Sequence, residues 1–320
     1  AKRLFPNFAF IDAPFNKQYY KEGDINTEIA YMGCRTRVIS DVTSPDNQVV
    51  TGRGNLSWTT INLPRLGIKH GIALKEREKA DMDGFYEELG DIMDMVKDQL
   101  LERFEVQCSK HNYNFPFLLG QGVWTNGEKL KPTDRLRKVW KHGSLSIGFI
   151  GLAECLKALT GKHHGESDEM EKLGLEIIGF MRKKCDEYAS KYNLNFACLA
   201  TPAEGLSGRF TGIDRAIYGK IKGVNSFHVP VYYNISITKK IEKEAPFHEL
   251  TNGGHISYIE LDGDVASNIE AFEKVIRIMK EAGIGYGAIN HPVDRDPVCG
   301  YVGVINDVCP RCGRHEFEGV

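Results

Sequence analysis

"HISYIELDGDVASNIEAFEKVIRIMKEAGIGYGAIN", residues 255–290, decides the fold class. Two short runs rich in β-branched and aromatic residues, 255–261 and 286–290, flank a segment punctuated as a helix at both ends. Ser267 and Glu270 are spaced as a capping box, and Gly283 supplies the stop. Strand, helix, strand over this length is a crossover unit, which makes the two strands parallel neighbours.

The same alternation extends outward. In "DGFYEELGDIMDMVKDQLLERF" (83–104) Phe85, Leu89, Ile92, Met93, Val96 and Leu100 fall on one helical stripe. "SDEMEKLGLEIIGFMRKKCDEY" (167–188) opens with acids and carries Arg182, Lys183 and Lys184 further on, matching the helix dipole. Further strands are predicted at "NLSWTTINL" (55–63), "NFACLAT" (195–201) and "VPVYYNISI" (229–237). Strands alternating with long helices indicate an α/β sheet or barrel. Glycine and proline follow several of these strands, as in "TINLPRLG" (60–67) and "LATPAEGLSG" (199–208), and in α/β folds such loops carry the chemistry.

The chain has 320 residues, 42% hydrophobic and 26% charged, enough for one large domain or two ordinary ones. A net charge of −2 gives no bulk reason to expect nucleic-acid binding. No apolar run is long enough for a membrane span, and "AKRLFPNFAF" lacks the apolar core of a signal peptide. Beginning in mid-pattern without methionine, the sequence reads as an internal segment of a longer chain. Cys34, Cys108, Cys155, Cys185 and Cys198 are scattered, so a disulfide framework is not expected and a reducing cytoplasm is.

After "AINHP" (288–292) the composition shifts to Cys, Gly, Asp and Arg, which predicts a small module from His291 to the end. In "DPVCGYVGVINDVCPRCGRHE" (296–316), Cys299 is followed by Cys309 and Cys312, the latter pair as a CPRCG knuckle. Gly300 and Gly313 permit the tight turns that aim backbone N–H groups at thiolate sulfur. Zinc is the first choice for such ligands. A closed site needs a fourth ligand: Asp296 stands where a C-x-x-C partner would, and His291 and His315 are the alternatives.

"YMGCRTRV" (31–38) holds a solitary cysteine, Cys34, between a glycine and an arginine. Taken alone, a buried small hydrophobe is its ordinary reading. Together with "GRGNLSWTTINLPRLG" (52–67), "HGSLSIGFIGLAE" (142–154), "ATPAEGLSGRF" (200–210), "NSFHVPV" (225–231), "NGGHISYIEL" (252–261) and "CGYVGVINDVCPRCG" (299–313), it resembles the anaerobic, class III ribonucleoside-triphosphate reductases. The stretches occur in family order across nearly the whole chain.

The resemblance implies a ten-stranded α/β barrel of the ribonucleotide reductase and glycyl-radical enzyme type, threaded by a finger loop with Cys34 at its tip. Residues 1–290 would be part of that barrel and 291–320 the zinc module. Removing a ribose 2′-hydroxyl is radical chemistry, and by resemblance Cys34 carries it as a thiyl that abstracts the 3′ hydrogen. Asn55 matches a family active-site asparagine, whose amide suits ribose hydroxyls. Its alternative is a turn residue after Gly54. Thr201, Ala203, Gly205 and Ser207 would meet the substrate's phosphates and sugar at a helix start. Glu204 would handle protons or merely cap that helix. Asn62, His142, Ser144, His228 and His255 are read as structural.

The resemblance further implies formate as reductant, nucleotide effectors, a homodimer, and an activase using an iron–sulfur cluster and S-adenosylmethionine. The radical glycine would lie on a loop beyond the sequence, so Gly319 is not assigned that role. Asp296 in place of a zinc cysteine, and a short "KGVNSFHV" (222–229), depart from the family pattern. The rival readings are another glycyl-radical enzyme, of the lyase type, and a non-catalytic zinc-containing interaction protein. The lyases are not expected to end in CPRCG.

Overall fold

The computed structural model describes residues 6–33, 35–219, 228–231, 233–261, 268–290, 294–296, 298–303, 305 and 308–314. Cys34, Ser267, His291, His315 and the side chain of Glu204 lie outside the described residues. The first half of the chain holds β1 (Asn7–Ala9), β2 (Asn55–Asn62), α1 (Leu63–His70), α2 (Met82–Cys108), α3 (Arg137–Trp140), β3 (Ser144–Ile150) and α4 (Leu152–Thr160). The second holds α5 (Asp168–Tyr192), β4 (Asn195–Ala200), α6 (Glu204–Tyr218), α7 (Ile237–Leu250), β5 (Ser257–Glu260), α8 (Ile269–Ala282) and β6 (Tyr286–Asn290). A short ribbon of β7 (Asp294–Arg295) and β8 (Val302–Gly303) follows.

β5 and β6 are parallel neighbours joined through α8, as the opening stretch predicts. The predicted Ser267–Glu270 box is displaced by one residue: α8 is capped by Asn268, whose side chain accepts from the Ala271 N–H, while the stop falls at Gly283 in the left-handed region as expected. Its Val275 and Met279 pack on Ile241 and Ala245 of α7 and on Ile259, Ile284 and Ile289. β1 adds an antiparallel edge to β6.

β2, β3 and β4 form a second, fully parallel sheet in that order. Every residue of β3 and β4 is buried, because α2, α4 and α5 contribute to the main core against them. Among the described residues the strands thus make two three-stranded sheets and one two-stranded ribbon. The two larger sheets meet at a parallel bridge between Leu199 and Gly254.

One strand prediction is overturned. The described residues of 229–237 are turn and irregular backbone, and Ile237 starts α7, with Ser236 Oγ accepting from the Lys239 N–H. Pro230 cannot donate to a ladder, and the Ser236 cap favours helix over the β-propensity of the preceding residues. Among the described residues, no helix is long and apolar enough to cross a membrane.

Candidate functional site

Gly254 is where three segments converge. Met32 and Thr36 pair antiparallel, with N···O distances of 2.7 and 3.2 Å, closing a tight turn. Gly33 (φ 40°) and Arg35 (φ 66°) take left-handed backbone on either side of position 34. Thr36 bridges to Gly254, and the Arg37 N–H donates to the Gly253 carbonyl at 3.0 Å. From the other side, the Ala200 N–H donates to Gly254 O at 3.1 Å and the Gly253 N–H to Cys198 O at 2.8 Å. Gly254 has φ 131°, and a Cβ there would stand 2.4 Å from Arg35 O. Only glycine admits that conformation and that approach together.

The loop that leaves β4 therefore begins beside the turn flanking position 34. Thr201 is buried and accepts from the Thr60 hydroxyl at 3.0 Å, across the top of β3. Gly148 makes room for this contact, since a Cβ there would lie 2.0 Å from Thr201 Oγ1. Ala203 is buried and precedes α6, Gly205 is exposed, and Ser207 is half-buried in the helix's first turn.

Asn55 sits at the opposite end of the same sheet. Its Oδ1 accepts from the Ser144 hydroxyl, and Ser144 is in register with Asn195. Thr201 lies six residues beyond Asn195, so roughly 20 Å of strand separates Asn55 from the β4 loop. Asn55 instead adjoins a polar hub that the sequence reading did not single out. Buried Asp41 accepts from His142 Nδ1 (2.7 Å), the Thr43 hydroxyl (2.7 Å) and Asn195 Nδ2 (3.2 Å), with Arg53 Nε at 3.8 Å. Burial pushes the Asp41 carboxyl up, but the His142 hydrogen bond, the Arg53 charge, and the Thr43 and Asn195 donors together hold it well below the usual range.

A second polar cluster lies behind the junction. His248 accepts the Gly285 N–H at Nδ1 (3.2 Å) and so presents Nε2–H to Ser257 Oγ (2.9 Å). Thr251 Oγ1 lies 3.1 Å from His255 Nδ1, and the His248 and His255 imidazoles lie tilted at 42° with centroids 4.3 Å apart. The His228 ring meets Tyr258 edge-on, and the Arg35 guanidinium sits 5.4 Å from the Tyr258 centroid. Among the described residues, His164 is fully buried with no hydrogen-bond partner at either ring nitrogen. Burial, aided by neighbouring cationic groups, pushes His164, His228 and His248 down to about 3. Of this cluster's histidines the sequence reading named only His228 and His255, as structural residues.

The C-terminal ribbon assembles the other group. Ligand atoms of Asp296, Cys299, Cys309 and Cys312 all lie within 4.8 Å of one another. Asp296 is fully buried, its Oδ1 accepting from the Val298 (2.8 Å) and Cys299 (3.3 Å) N–H groups. Its Oδ2 accepts from the Cys312 thiol at 3.1 Å. That carboxylate partner pushes the Cys312 thiol up to about 12. Cys299 and Cys309 sulfurs are 3.6 Å apart, far beyond the ~2.05 Å of a disulfide. Gly300 (φ 70°) and Gly313 (φ 72°) follow two of the cysteines in left-handed backbone, as each turn requires. Three thiols and one carboxylate in this space could hold a thiophilic divalent ion such as zinc.

The family model for anaerobic ribonucleoside-triphosphate reductase matches residues 1–320. The chain belongs to that reductase family. It is 32% identical over 327 residues to the anaerobic ribonucleoside-triphosphate reductase of Enterobacteria phage T4, covering 98% of this chain and 50% of the relative. To the enzyme of the same name from Salmonella typhimurium it is 30% identical over 336 residues, covering 100% of this chain and 44% of the relative. The chain thus spans half or less of the length of these relatives. Among solved structures, an anaerobic ribonucleotide reductase superposes with TM-score 0.57 at 20% identity, over 82% of this chain and 39% of that one. The Thermotoga maritima enzyme with glycerol in its active site gives 0.58 at 18%, over 85% and 42%. These likenesses establish a shared α/β fold.

In this member of the anaerobic reductase family, the residues marked by sequence therefore fall in three places. Thr201, Ala203, Gly205 and Ser207 gather at the C-terminal ends of β2–β4, beside the turn flanking position 34. Asn55 stands at the N-terminal ends. Asp296, Cys299, Cys309 and Cys312 form one cluster beyond β6.

Proposed function

We propose that this chain is the later part of the catalytic domain of a glycyl-radical ribonucleotide reductase. The whole protein would convert ribonucleoside triphosphates to deoxyribonucleoside triphosphates for DNA synthesis without oxygen. β2-β3-β4 and β5-β6 are then portions of a ten-stranded barrel, residues 31–38 its finger loop, and 291–320 a zinc module.

The observation that carries the reading is the Gly254 junction, which joins the turn flanking Cys34 to the loop leaving β4. At Cys34 a thiyl would take the 3′ hydrogen of the substrate: the S–H bond forms and C3′–H breaks, leaving a C3′ radical that weakens the adjacent C2′–OH bond. With formate as reductant the sum balances as ribonucleotide, formate and a proton giving deoxyribonucleotide, carbon dioxide and water. A glycyl radical elsewhere in the full-length protein, installed by an activase with S-adenosylmethionine and an iron–sulfur cluster, supplies the unpaired electron. The first turn of α6 offers N–H groups to the phosphates and Glu204 exchanges protons. Asn55, roughly 20 Å of strand away with its Oδ1 held by the Ser144 hydroxyl, does not reach the ribose of a nucleotide seated there and takes its structural alternative. Asp296, Cys299, Cys309 and Cys312 hold a structural zinc that closes the C-terminal fold.

The Thermotoga maritima enzyme has been solved in complex with dATP and CTP, and with dATP in its specificity site. By that likeness nucleotide effectors belong to the proposal; a homodimer and a cytoplasmic setting are carried into it from the sequence reading alone. The test replaces Cys34 by serine in full-length, activated protein. Deoxynucleotide formation should cease while nucleotide binding persists; continued turnover would remove the mechanism.

A further inference from the structure

α6 is a helix with little reason to stay in place. It carries glycine at 205, 208 and 212, the poorest helix former after proline. Among the described residues packing does not call for them, because a Cβ at any of the three meets nothing within 4 Å. Ile213 and Ile217 are 40% and 57% exposed, and among the helix's described side chains only Asp214 is buried. An element so poorly sheltered from water needs a specific attachment.

Asp214 provides one. Its Oδ1 accepts from Arg65 Nε at 2.6 Å, with Arg65 Nη2 also at 2.6 Å, and its Oδ2 accepts from Asn62 Nδ2 at 2.7 Å. Asn62 is the last residue of β2 and the N-cap of α1, where its Oδ1 receives the Arg65 N–H at 3.4 Å. Both donors thus come from one rigid corner at the C-terminal end of the parallel sheet. A desolvated carboxylate held on both oxygens by a guanidinium and an amide is geometrically demanding: loss of Arg65 leaves the carboxylate charge uncompensated, and loss of Asn62 leaves Oδ2 without this donor.

We propose that Asn62, Arg65 and Asp214 clamp α6 to the end of β2 and thereby set where the 201–207 loop meets the substrate's phosphate-bearing end. Asp214 is a positioning residue, acting through the loop. This rests on the reading of that loop given under the proposed function. With the sheet fixed and α6 weakly packed, the clamp governs the loop's geometry without governing the stability of the core.

The test uses full-length, anaerobically activated enzyme carrying D214N or, on the half-exposed side of the pair, R65Q. Amide exchange across 204–218 should accelerate at least ~10-fold while β2 and β4 peptides keep parental rates. KM for the ribonucleoside triphosphate should rise about tenfold with kcat within about threefold, the signature of lost positioning in the bound state. R65K, which keeps the charge, should recover most of the KM. Unchanged exchange in α6 overturns the clamp, and faster exchange with unaltered KM overturns its role in positioning. E204Q measured in parallel separates the two levels. If E204Q alters turnover while D214N leaves KM alone, the clamp fails and the loop assignment stands. If neither variant changes the kinetics, the loop assignment fails and takes the proposal with it.

Discussion

Replacing Gly148 by alanine tests the contact that starts the β4 loop. The new Cβ would lie 2.0 Å from Thr201 Oγ1 and 3.1 Å from Thr60 Oγ1. In a strand, alanine otherwise gains about 0.5–1 kcal/mol over glycine. Against that, the clash must be relieved by turning Thr201 away, which breaks the Thr60–Thr201 hydrogen bond and leaves a buried hydroxyl alone at about 1–3 kcal/mol. Shifting the strand instead costs a similar ~1–3 kcal/mol of overpacking. The unfavourable side wins, and G148A should lose about 1–2 kcal/mol net. Urea unfolding with an unchanged m-value measures this. T201A removes the colliding oxygen and leaves Thr201's own Cβ position 3.4 Å away, an ordinary contact. T201A should therefore destabilise the parent yet rescue G148A, a coupling of at least ~1 kcal/mol in the double-mutant cycle. A G148A protein as stable as the parent, or T201A adding its full cost to G148A, would refute the reasoning.

Three further outcomes are expected. His164, His228 and His248 stay neutral down to about 3 in the folded chain but titrate at 6.5 when unfolded. The unfolded chain binds more protons below that value, so stability falls as pH drops, by about 2 kcal/mol per imidazole at pH 5 as an upper estimate. H164F should flatten the urea midpoint's pH dependence between pH 7 and 5 by about one proton's worth; an unaltered slope would contradict the assignment. C309S should drop metal content from about one ion per chain to near zero by elemental analysis while the far-UV spectrum of the sheets persists. Retention of stoichiometric metal would remove Cys309 from the cluster. G254A forces an unfavourable φ and a 2.4 Å approach to Arg35 O, costing roughly 2 kcal/mol or more and speeding amide exchange at Thr36 and Arg37. Parental exchange at both amides would show that the junction tolerates a side chain.

What the sequence made legible was what local periodicity encodes. The crossover through α8, the long helices α2 and α5, and the strands β2 and β4 follow from apolar spacing and end signals. β3 was missed because "SLSIGFI" is buried on both faces, which erases alternation, and because Gly148 and two serines lower its apparent β-propensity. The strand expected at 229–237 failed where a proline and a helix cap outweighed aromatic content. The Asp/Cys cluster was readable because its ligands sit on adjacent short turns. The Asp41 hub was not, since Asp41, Arg53, His142 and Asn195 are far apart in the chain and meet only through tertiary contacts. The same holds for Asp214, which looks like an ordinary surface acid on an exposed helix until Arg65 and Asn62 arrive from another element.

The segment after the Met32–Thr36 turn is fastened to β4 twice. Thr36 is tied through Gly254 to Leu199, and Val42 donates its N–H to Asn195 Oδ1 at 2.8 Å. Strand β4 therefore serves as a ruler for the chain between positions 36 and 42. One residue inserted or deleted there would slide one attachment along the strand by about 3.3 Å, or force a bulge. Length in this stretch should be far less free to drift among relatives than its side chains, because the ruler measures backbone and not composition.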